Sequence, residues 1–238
     1  MRYIDFHTHI LPKIDDGAKS LNESVEMLRT AKRCGAELVV LTPHYTSDIS
    51  IAEFCEFRQK KYLELKAEVL KNKDEFPKLL LGAEVLVNNA LSENDDIKSL
   101  CISETNLLMV ELPYDKWQKW HYNEVYNLVA KHSITPVIAH VERYLTKVED
   151  LKKLEPLISV GAKFQINADS FLSFFGKRII RELAAMGLIS AIGSDCHGAT
   201  FRSPDISRAI SVFSKKFGEP FIDYLYEKSS KLLNESRI

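Results

Sequence analysis

The feature that most constrains this chain is a short apolar strand near its start that ends in two histidines one residue apart. The stretch reads Asp5-Phe6-His7-Thr8-His9. Because alternate side chains of a strand point to the same face, His7 and His9 can face one point. Imidazole suits transition metals, so this pair would supply half of a metal site. Asp15-Asp16-Gly17, where the chain must turn, offers carboxylates close by.

Short apolar runs alternate with helical segments along the rest of the chain. Strands are predicted at residues 2–6, 37–42, 78–81, 106–110, 135–139, 162–166 and 188–193. Capping boxes that pair Ser20 with Glu23 and Ser50 with Glu53 begin the first two helices. Further helices are predicted to end near residues 131, 161 and 186 and to begin near 204 and 220. This α/β pattern predicts one domain, residues 1–238, built as a distorted parallel β/α barrel of about seven strands, with an open doubly wound sheet as the alternative.

Polar side chains that can bind metals stand at or just after the carboxyl ends of these strands. They are His7, His9, His44, Glu84, Glu111, His140, Asp195 and His197. In a parallel barrel those ends meet at one mouth, where active sites are built. A chance scatter of polar residues would not favour one end of the strands. The pattern therefore favours the barrel and predicts an enzyme whose active site lies at the mouth.

The predicted ligands are histidine nitrogens and carboxylate oxygens, with no cysteine among them. Such donors are typical of manganese, iron or zinc sites rather than calcium sites. One ion takes about three or four protein ligands, so this many donors imply two or three divalent ions. Clustered metals suit phosphate ester hydrolysis, because they lower the pKa of bound water and hold the attacking and leaving oxygens. Arg143 and Arg202 lie just beyond ligand-bearing segments, and a guanidinium binds phosphate oxygens in a bidentate manner.

The composition argues against several other classes of protein. The formal net charge of −1 provides no basic field for nucleic acid. No apolar run reaches the roughly 18–20 residues of a membrane span, and the start shows no signal-like segment. The cytoplasm is therefore the expected location, without membrane insertion. Cys34, Cys55, Cys101 and Cys196 lack CxxC spacing, which argues against a disulfide framework or a cysteine zinc site.

Three motifs together resemble the polymerase and histidinol phosphatase (PHP) superfamily. They are His7-Thr-His9-Ile-Leu-Pro-x-x-Asp-Asp16-Gly, Ala139-His140-Val-Glu-Arg143-Tyr and Ser194-Asp195-x-His197. Within the superfamily they are most similar to the bacterial metal-dependent protein tyrosine phosphatases of capsule and exopolysaccharide loci. The resemblance spans the chain from the first strand to Arg202. It implies a PHP-type distorted barrel and a trinuclear site that is usually supported by manganese (Mn²⁺), with iron or zinc as alternatives.

The resemblance also implies a role for each site residue. The implied ligand sets are His7, His9, Glu84 and Asp195 for one ion, Glu84, Glu111 and His140 for a second, and Asp16, His44 and His197 for a third. Arg143 and Arg202 would bind the phosphoryl group, as catalytic and substrate-binding residues. Family members usually act on the autophosphorylated tyrosines of a kinase that governs polysaccharide polymerisation. The expected partner is therefore a phosphotyrosine protein, a bacterial tyrosine kinase, and oligomerisation stays open.

Three other functions stay open at this point. The first is a phosphatase of small molecules such as histidinol phosphate. The second is a hydrolase of another bond, as in amidohydrolases, which also begin with this histidine pair but usually rely on a lysine bridge that we do not find here. The third is a regulator that keeps metals for stability alone. The aromatic cluster 117–126 is interpreted mainly as packing, whereas the whole aromatic segment 114–126 favours a peptide over a small polar substrate.

Three further residues with reactive side chains have simpler interpretations. His121 and His132 lie in polar, helical surroundings and are not predicted to be ligands. Cys196 and Arg202 have the spacing of the signature loop of cysteine-dependent tyrosine phosphatases. Cys196, however, stands between two predicted ligands, and strand alternation would turn its side chain away from theirs. We therefore predict that Cys196 is a small buried residue and not a nucleophile.

Overall fold

A curled sheet of parallel strands forms the centre of the fold in this computed structural model. The structure describes residues 2–237, except for the side chains of Phe175 and Glu219. The strands of this part of the chain are β1 (Tyr3–Thr8), β2 (Ala36–Leu41), β3 (His44–Tyr45), β4 (Lys78–Leu81), β5 (Glu84–Leu86), β6 (Leu107–Glu111), β7 (Thr135–Ile138), β8 (Lys163–Asn167) and β9 (Ile189–Gly193). They pair in the order β3-β5-β6-β7-β8-β9-β1-β2-β4, and these pairs are parallel. The predicted α/β class is confirmed.

The predicted count of seven strands is wrong, because two predicted units are interrupted strands. β3 follows β2 after a short break, and β5 follows β4 in the same way. The pairing runs through both breaks in one register, with Leu41 opposite Leu81 and His44 opposite Glu84. A hydrogen bond of 3.0 Å from Glu84 N to Pro43 O spans the gap. β3 and β4 are the first and last strands in the pairing order. Because β3 continues β2 and β4 leads into β5, these two end strands belong to neighbouring segments, and the sheet curls back on itself.

Helices follow most strands and cover the sheet. The α-helices of the described residues are α1 (Leu21–Arg33), α2 (Ile51–Val69), α3 (Lys119–His132), α4 (Glu155–Ser159), α5 (Phe174–Ala185), α6 (Ser207–Phe217) and α7 (Glu219–Glu235). Ser50 with Glu53 forms the predicted capping box of α2. Ser20 caps α1, but the capping box predicted there is wrong, because Glu23 Oε2 accepts from Lys19 N instead of Ser20 N. The helix predicted to end near residue 161 is instead a 3₁₀ helix, Val148–Leu154, followed by α4, where Pro156 fits the first turn of a new helix. In the described part of the chain, no helix is long and apolar enough to span a membrane.

Side-chain alternation on β6 separates two apolar clusters. Leu108 and Val110 join the larger cluster, which also contains residues from each of the α-helices named above. Leu107 and Met109 join a smaller cluster with side chains of β1, β2, β7 and β9. Glu111 follows on the same face as Leu107 and Met109, because alternate strand residues share a face. The smaller cluster therefore supports the end of the sheet at which Glu111 stands.

Candidate metal centre

The histidine pair at the carboxyl end of β1 has both rings held from behind. His7 Nδ1 lies 3.2 Å from Gln165 Oε1, and His9 Nδ1 lies 2.8 Å from Asp15 Oδ2. Gln165 Nε2 donates to Asn167 Oδ1 at 2.9 Å, which assigns Gln165 Oε1 as the carbonyl acceptor. Both Nδ1 atoms are therefore protonated donors. Each Nε2 atom is left with a lone pair in the neutral ring.

The two Nε2 atoms face each other and two carboxylates. Nε2 of His7 and Nε2 of His9 are 3.0 Å apart. Glu84 Oε2 lies 3.1 Å from His7 Nε2 and 3.3 Å from His9 Nε2. Asp195 Oδ1 lies 3.7 Å and 3.5 Å from the same two nitrogens. Four acceptors that meet in buried space repel one another unless a cation lies among them.

A second group of side chains that can bind a metal surrounds Glu84. His140 Nε2, just beyond β7, lies 3.0 Å from Glu84 Oε1 and 3.5 Å from Glu111 Oε1. His44 Nδ1, on β3, lies 3.1 Å from Glu84 Oε2. Glu84 thus contacts both groups of donors through its two oxygens, which is the position that a bridging carboxylate needs.

Asp16, His44 and His197 form a third group nearer to the solvent. Asp16 Oδ1 lies 3.3 Å from His197 Nε2 and 3.6 Å from His44 Nε2. The side chain of Asp16 is 65% exposed, whereas that of Asp15 is 5% exposed and is bound to His9. The two adjacent aspartates therefore do different things, since Asp15 orients a histidine and Asp16 faces the third group.

The groups of metal-binding side chains in the structure share more members than the implied ligand sets do. Groups of donor atoms that lie within 4.8 Å of one another are His7 with His9 and Asp195; His9 with Asp16, His44 and His197; and His44 with Glu84 and Glu111. His9 and His44 each belong to two of these groups, although the resemblance assigns each of them to one ion. All nine residues predicted as ligands nevertheless meet at one mouth.

The backbone of the mouth is held in conformations that are rare for residues with a side chain. His140, Asp195 and Arg202 have φ values of 33°, 51° and 47°. A left-handed conformation of this kind costs about 1–3 kcal/mol and persists only where surrounding contacts enforce it. Gly193 allows the close approach of β9 to β1, since a Cβ atom there would lie 2.6 Å from His7 Cβ. The fold thus places these side chains against local preference.

Arg143 and Arg202 both reach the mouth, and both contact Asp195. Arg143 Nη2 lies 2.8 Å from Asp195 Oδ2, and Arg202 Nη2 lies 2.8 Å from Asp195 Oδ1. Arg143 Nη1 lies 3.4 Å from the hydroxyl of Tyr114, whose ring stacks on His140 with centroids 5.9 Å apart. A guanidinium has five N–H donors, so both arginines keep donors for a further anion.

Burial and charge act in opposite directions on the pKa values of the mouth. Burial alone would raise the pKa of Asp195, but the neighbouring histidines and Arg143 hold it well below its ordinary range. Burial would also raise the pKa of Asp15, yet the hydrogen bond with His9 lowers it to about 2. Burial would lower the pKa of His140, but hydrogen bonds to two carboxylates raise it to about 9. The two aspartates therefore stay ionised at neutral pH, as ligands and their partners must.

The donor set fits divalent metal ions. Glu84 Oε2 is buried and forms no hydrogen bond of good geometry among the described residues, although three histidine nitrogens lie 3.1–3.3 Å from it. A buried acceptor without a partner costs about 1–3 kcal/mol. A cation would remove this cost for Glu84 and would also neutralise the facing Nε2 lone pairs of His7 and His9. Imidazole and carboxylate donors without a thiolate are those that manganese, iron and zinc share.

Sequence reasoning missed the residues of β8 that hold the ligands in place. Gln165 Oε1 accepts a 2.8 Å hydrogen bond from His140 N in addition to its contact with His7. Asn167 Nδ2 donates to Asp195 Oδ2 at 2.7 Å. The available signal was the alternation of polar Gln165 and Asn167 with apolar residues in a strand that should be buried on both faces.

The residues that were not predicted to be ligands lie elsewhere. His121 Nδ1 accepts a hydrogen bond from Gln118 N at the start of α3, and His132 Nε2 lies 2.9 Å from Ser92 O. Cys196 is fully buried in the larger apolar cluster, and burial raises the pKa of its thiol far above the ordinary value. The prediction that Cys196 is buried is confirmed.

The aromatic segment has two different parts. Trp117 packs against Tyr144 with ring centroids 5.2 Å apart, in agreement with the packing interpretation. Tyr114, in contrast, is 62% exposed and stands at the mouth beside His140 and Arg143. Tyr114 lies outside the cluster 117–126 that was interpreted as packing, and the turn of the chain after β6 brings its ring beside His140.

Comparison with known proteins relates this chain to one family. Residues 3–234 match the family model described as capsular polysaccharide synthesis, CpsB/CapC. The chain is 32% identical to the tyrosine-protein phosphatase YwqE of Bacillus subtilis (strain 168), over 99% of this chain and 93% of that protein. It is 28% identical to the tyrosine-protein phosphatase CpsB of Streptococcus pneumoniae, over 92% of this chain and 95% of that protein.

Solved structures show the same relation. A structure from work on YwqE of Bacillus subtilis and CpsB of Streptococcus pneumoniae, described as unique metal-dependent tyrosine phosphatases, matches with a TM-score of 0.83. That match has 28% identity and covers 99% of this chain and 95% of the other. The phosphotriesterase homology protein of Escherichia coli matches with a TM-score of 0.59 at 9% identity, over 97% of this chain and 98% of the other. This second likeness concerns the fold alone.

Proposed function

Because this chain belongs to the CpsB/CapC family of capsular polysaccharide synthesis, we propose that it is a metal-dependent phosphatase that hydrolyses phosphotyrosine in proteins. The resemblance inferred from three motifs is confirmed by the family match. The observation that carries the proposal is the meeting of histidines and carboxylates at one mouth, where two Nε2 atoms face each other at 3.0 Å. The relatives YwqE and CpsB are both named tyrosine-protein phosphatases.

The proposed cofactor is manganese, with iron and zinc as alternatives that use the same donors. The residues that would hold two or three ions are His7, His9, Asp16, His44, Glu84, Glu111, His140, Asp195 and His197. Bound divalent ions would lower the pKa of a coordinated water and neutralise charge on the phosphoryl group. Gln165 and Asp15 contribute by keeping the Nε2 atoms of His7 and His9 free to bind a metal. Each of them accepts a hydrogen bond from the Nδ1–H group of its histidine.

Arg143 and Arg202 are the proposed phosphoryl-binding residues. Their side chains are 35% and 36% exposed, so a phosphate that enters from the solvent can reach them. Charge-assisted hydrogen bonds from a guanidinium to phosphate oxygens are among the stronger contacts that a protein makes. Donors held at the oxygens where charge is redistributed in the transition state lower the barrier, because they need no reorganisation at that moment.

Tyr114 supports an aromatic substrate. A guanidinium only donates, so Arg143 donates to the Tyr114 oxygen, and the phenolic proton must point elsewhere. The exposed ring lies nearly parallel to His140, at an interplanar angle of 15°. A second ring stacked at this place would gain about 0.5–1.5 kcal/mol beyond its buried area. This favours an aryl phosphate over a small alkyl phosphate such as histidinol phosphate.

The partner and the extent of the domain complete the proposal. The proposed substrate is an autophosphorylated bacterial tyrosine kinase, because the family belongs to capsular polysaccharide synthesis. A cytoplasmic location is part of this proposal, since kinases draw on ATP. Residues 1–238 are proposed to act as one domain, because the ligands come from strands throughout the chain and α7 packs back on β1 and β9.

A comparison of three substrates tests the proposed function. Protein purified without chelator is assayed with a phosphotyrosine peptide, p-nitrophenyl phosphate and histidinol phosphate, and its metal content is measured. We expect hydrolysis of both aryl phosphates, with the largest kcat/KM on the peptide. A higher kcat/KM on histidinol phosphate would assign the chain to small molecules. A metal-loaded protein that hydrolyses none of the three would be a regulator.

A further inference from the structure

A basic groove between α5 and α6 lies outside the metal centre. It encloses a cavity of about 440 Å³. Its cationic lining residues are Lys177, Arg178, Arg181, Lys215 and Lys216. Among the described residues, the lining includes neither an aspartate nor a glutamate, although the formal net charge of the chain is −1. The groove is therefore a concentrated positive surface on a protein whose remaining residues carry a net negative charge.

Helix stability alone does not explain these charges. Lys215 and Lys216 lie in the last turn of α6, where the helix dipole favours cations. Lys177 and Arg178 instead lie in the first half of α5, where the dipole disfavours them, and Arg181 follows one turn later as a like-charged neighbour. All five side chains are exposed, and within residues 2–237 none of them forms an ion pair with a carboxylate.

Aromatic side chains accompany the charges. Phe171 is 1% exposed and stacks on Phe213 with ring centroids 4.1 Å apart, whereas Phe174 is 82% exposed. Cations beside phenylalanine rings, without a carboxylate, are complementary to an aryl phosphate. The phosphate carries about −1.5 to −2 charges and three acceptor oxygens, the arginine forks bind such oxygens in pairs, and the aryl ring packs on phenylalanine.

The groove lies beside the segment that follows the carboxyl end of β8. Phe171 belongs to the 3₁₀ helix Ala168–Leu172, which directly follows the carboxyl end of β8. In that helix, Ser170 Oγ donates at 2.7 Å to Glu142 Oε1, and Glu142 stands two residues beyond His140. The groove is therefore linked through Phe171, Ser170 and Glu142 to the segment that carries His140.

We propose that the groove between α5 and α6 binds a second phosphotyrosine side chain of the same substrate without hydrolysing it. This inference rests on the proposed function, because it assumes that the substrate is a phosphotyrosine protein. Among its described lining residues the groove has no histidine and no carboxylate, so it lacks the donors for metal-assisted hydrolysis. Binding at two points would raise the local concentration of one phosphotyrosine at the mouth while the other is held.

Peptides that carry a non-hydrolysable phosphonate analogue of phosphotyrosine test this proposal in the complete, metal-loaded protein. Fluorescence anisotropy compares a peptide with one analogue against peptides in which a flexible linker of varied length joins two. The groove variant is Arg178→Glu/Arg181→Glu. The matched control is Lys60→Glu/Lys152→Glu, which makes the same change of charge at two exposed lysines outside the groove. Circular dichroism checks that each variant is folded.

We expect the best doubly modified peptide to bind the unaltered protein and the control at least about tenfold more tightly than the single one. The groove variant is expected to lose that difference. Hydrolysis of p-nitrophenyl phosphate, which is too small to reach both places, measures the mouth by itself, so a failure of the proposed function would be seen separately. Equal binding of single and double peptides by the unaltered protein at every linker length would overturn the proposal. So would variant-sensitive binding to phosphatidylserine vesicles without any effect on peptides, which would assign the groove to a membrane surface.

Discussion

The two ends of the sheet present cavities of very different character. The end at the amino termini of the strands has a cavity of about 990 Å³, with Ile4, Leu38 and Lys78 in its lining. Its charged lining residues are of both signs and lie at the surface, and one of them, Glu37, pairs with Arg2 outside the lining, with side chains 46% and 59% exposed. Such pairs contribute about 0–1 kcal/mol. The mouth instead buries histidines and carboxylates that face one another.

The two ends therefore differ in whether buried metal-binding atoms converge there, and the site proposed at the mouth rests on that convergence. At the mouth, His140 and Asp195 adopt left-handed backbone conformations, and Glu84 Oε2 is buried without a hydrogen bond of good geometry among the described residues. A chain keeps such costs only where another contact compensates for them, and a bound cation supplies that contact. The cavity at the other end shows no comparable group of buried metal-binding side chains in its described lining.

Removal of the divalent ions from the mouth should cause the largest loss of activity. Dialysis against a chelator is expected to abolish turnover of a phosphotyrosine peptide, because the donors at the mouth would lose the ions that activate water. Addition of Mn²⁺ should restore the activity. Elemental analysis gives the metal content of each sample, and full activity in a metal-free sample would contradict the metal mechanism.

Loss of a single ligand should be nearly as severe. Asp195→Ala and His197→Ala are each expected to lose almost all activity, and Asp195→Ala would also remove the partner of both Arg143 and Arg202. Kinetics on p-nitrophenyl phosphate and measurement of bound metal give the result. Circular dichroism shows whether the fold is kept. If folded Asp195→Ala retained normal turnover, this aspartate would not be a ligand.

Arg143→Ala should reduce the rate more than it reduces stability. Loss of a donor to developing charge typically costs about 2.7–4 kcal/mol, a hundredfold or more in rate. The comparison is kcat/KM on a phosphotyrosine peptide against the midpoint of thermal unfolding. The same substitution at Arg202 serves as a parallel test. Near-normal kcat/KM in folded Arg143→Ala would remove this residue from the proposed site.

Cys196→Ser should have a small effect on activity, although it lies between two proposed ligands. The buried thiol is held protonated, because burial raises its pKa. We expect most of the activity to remain, with a stability loss of about 1–3 kcal/mol from burial of a hydroxyl group. A folded, metal-loaded variant without activity, together with a trapped phosphocysteine, would favour cysteine chemistry instead.

A substitution at the opposite end of the sheet should have the smallest effect. Lys73→Ala changes an exposed residue of the cavity at the amino termini of the strands. Its kcat/KM on the phosphotyrosine peptide should equal that of the unaltered protein, because no described contact links it to the mouth. A large loss of activity would show that this cavity takes part in the reaction and would weaken the contrast between the two ends.

The amino-acid sequence by itself determined the class of fold and the meeting of histidines and carboxylates at one mouth, where we propose the metal site. These properties follow from local patterns: apolar runs of strand length, capping boxes such as Ser50 with Glu53, and polar residues directly after the strands. Parallel strands carry their ends to one edge, so the pairing of strands need not be known to predict a common mouth. The burial of Cys196 followed from the same alternation.

The tertiary structure decided how each of these side chains is used. Gln165 selects the tautomer of His7 from a strand far away in the chain, and Asp15 rather than Asp16 orients His9. The interruption of two strands and the position of Tyr114 over His140 were likewise absent from the local pattern. Hydrogen bonds and packing between distant segments set these details, and residue spacing along the chain carries no information about which distant atoms will meet.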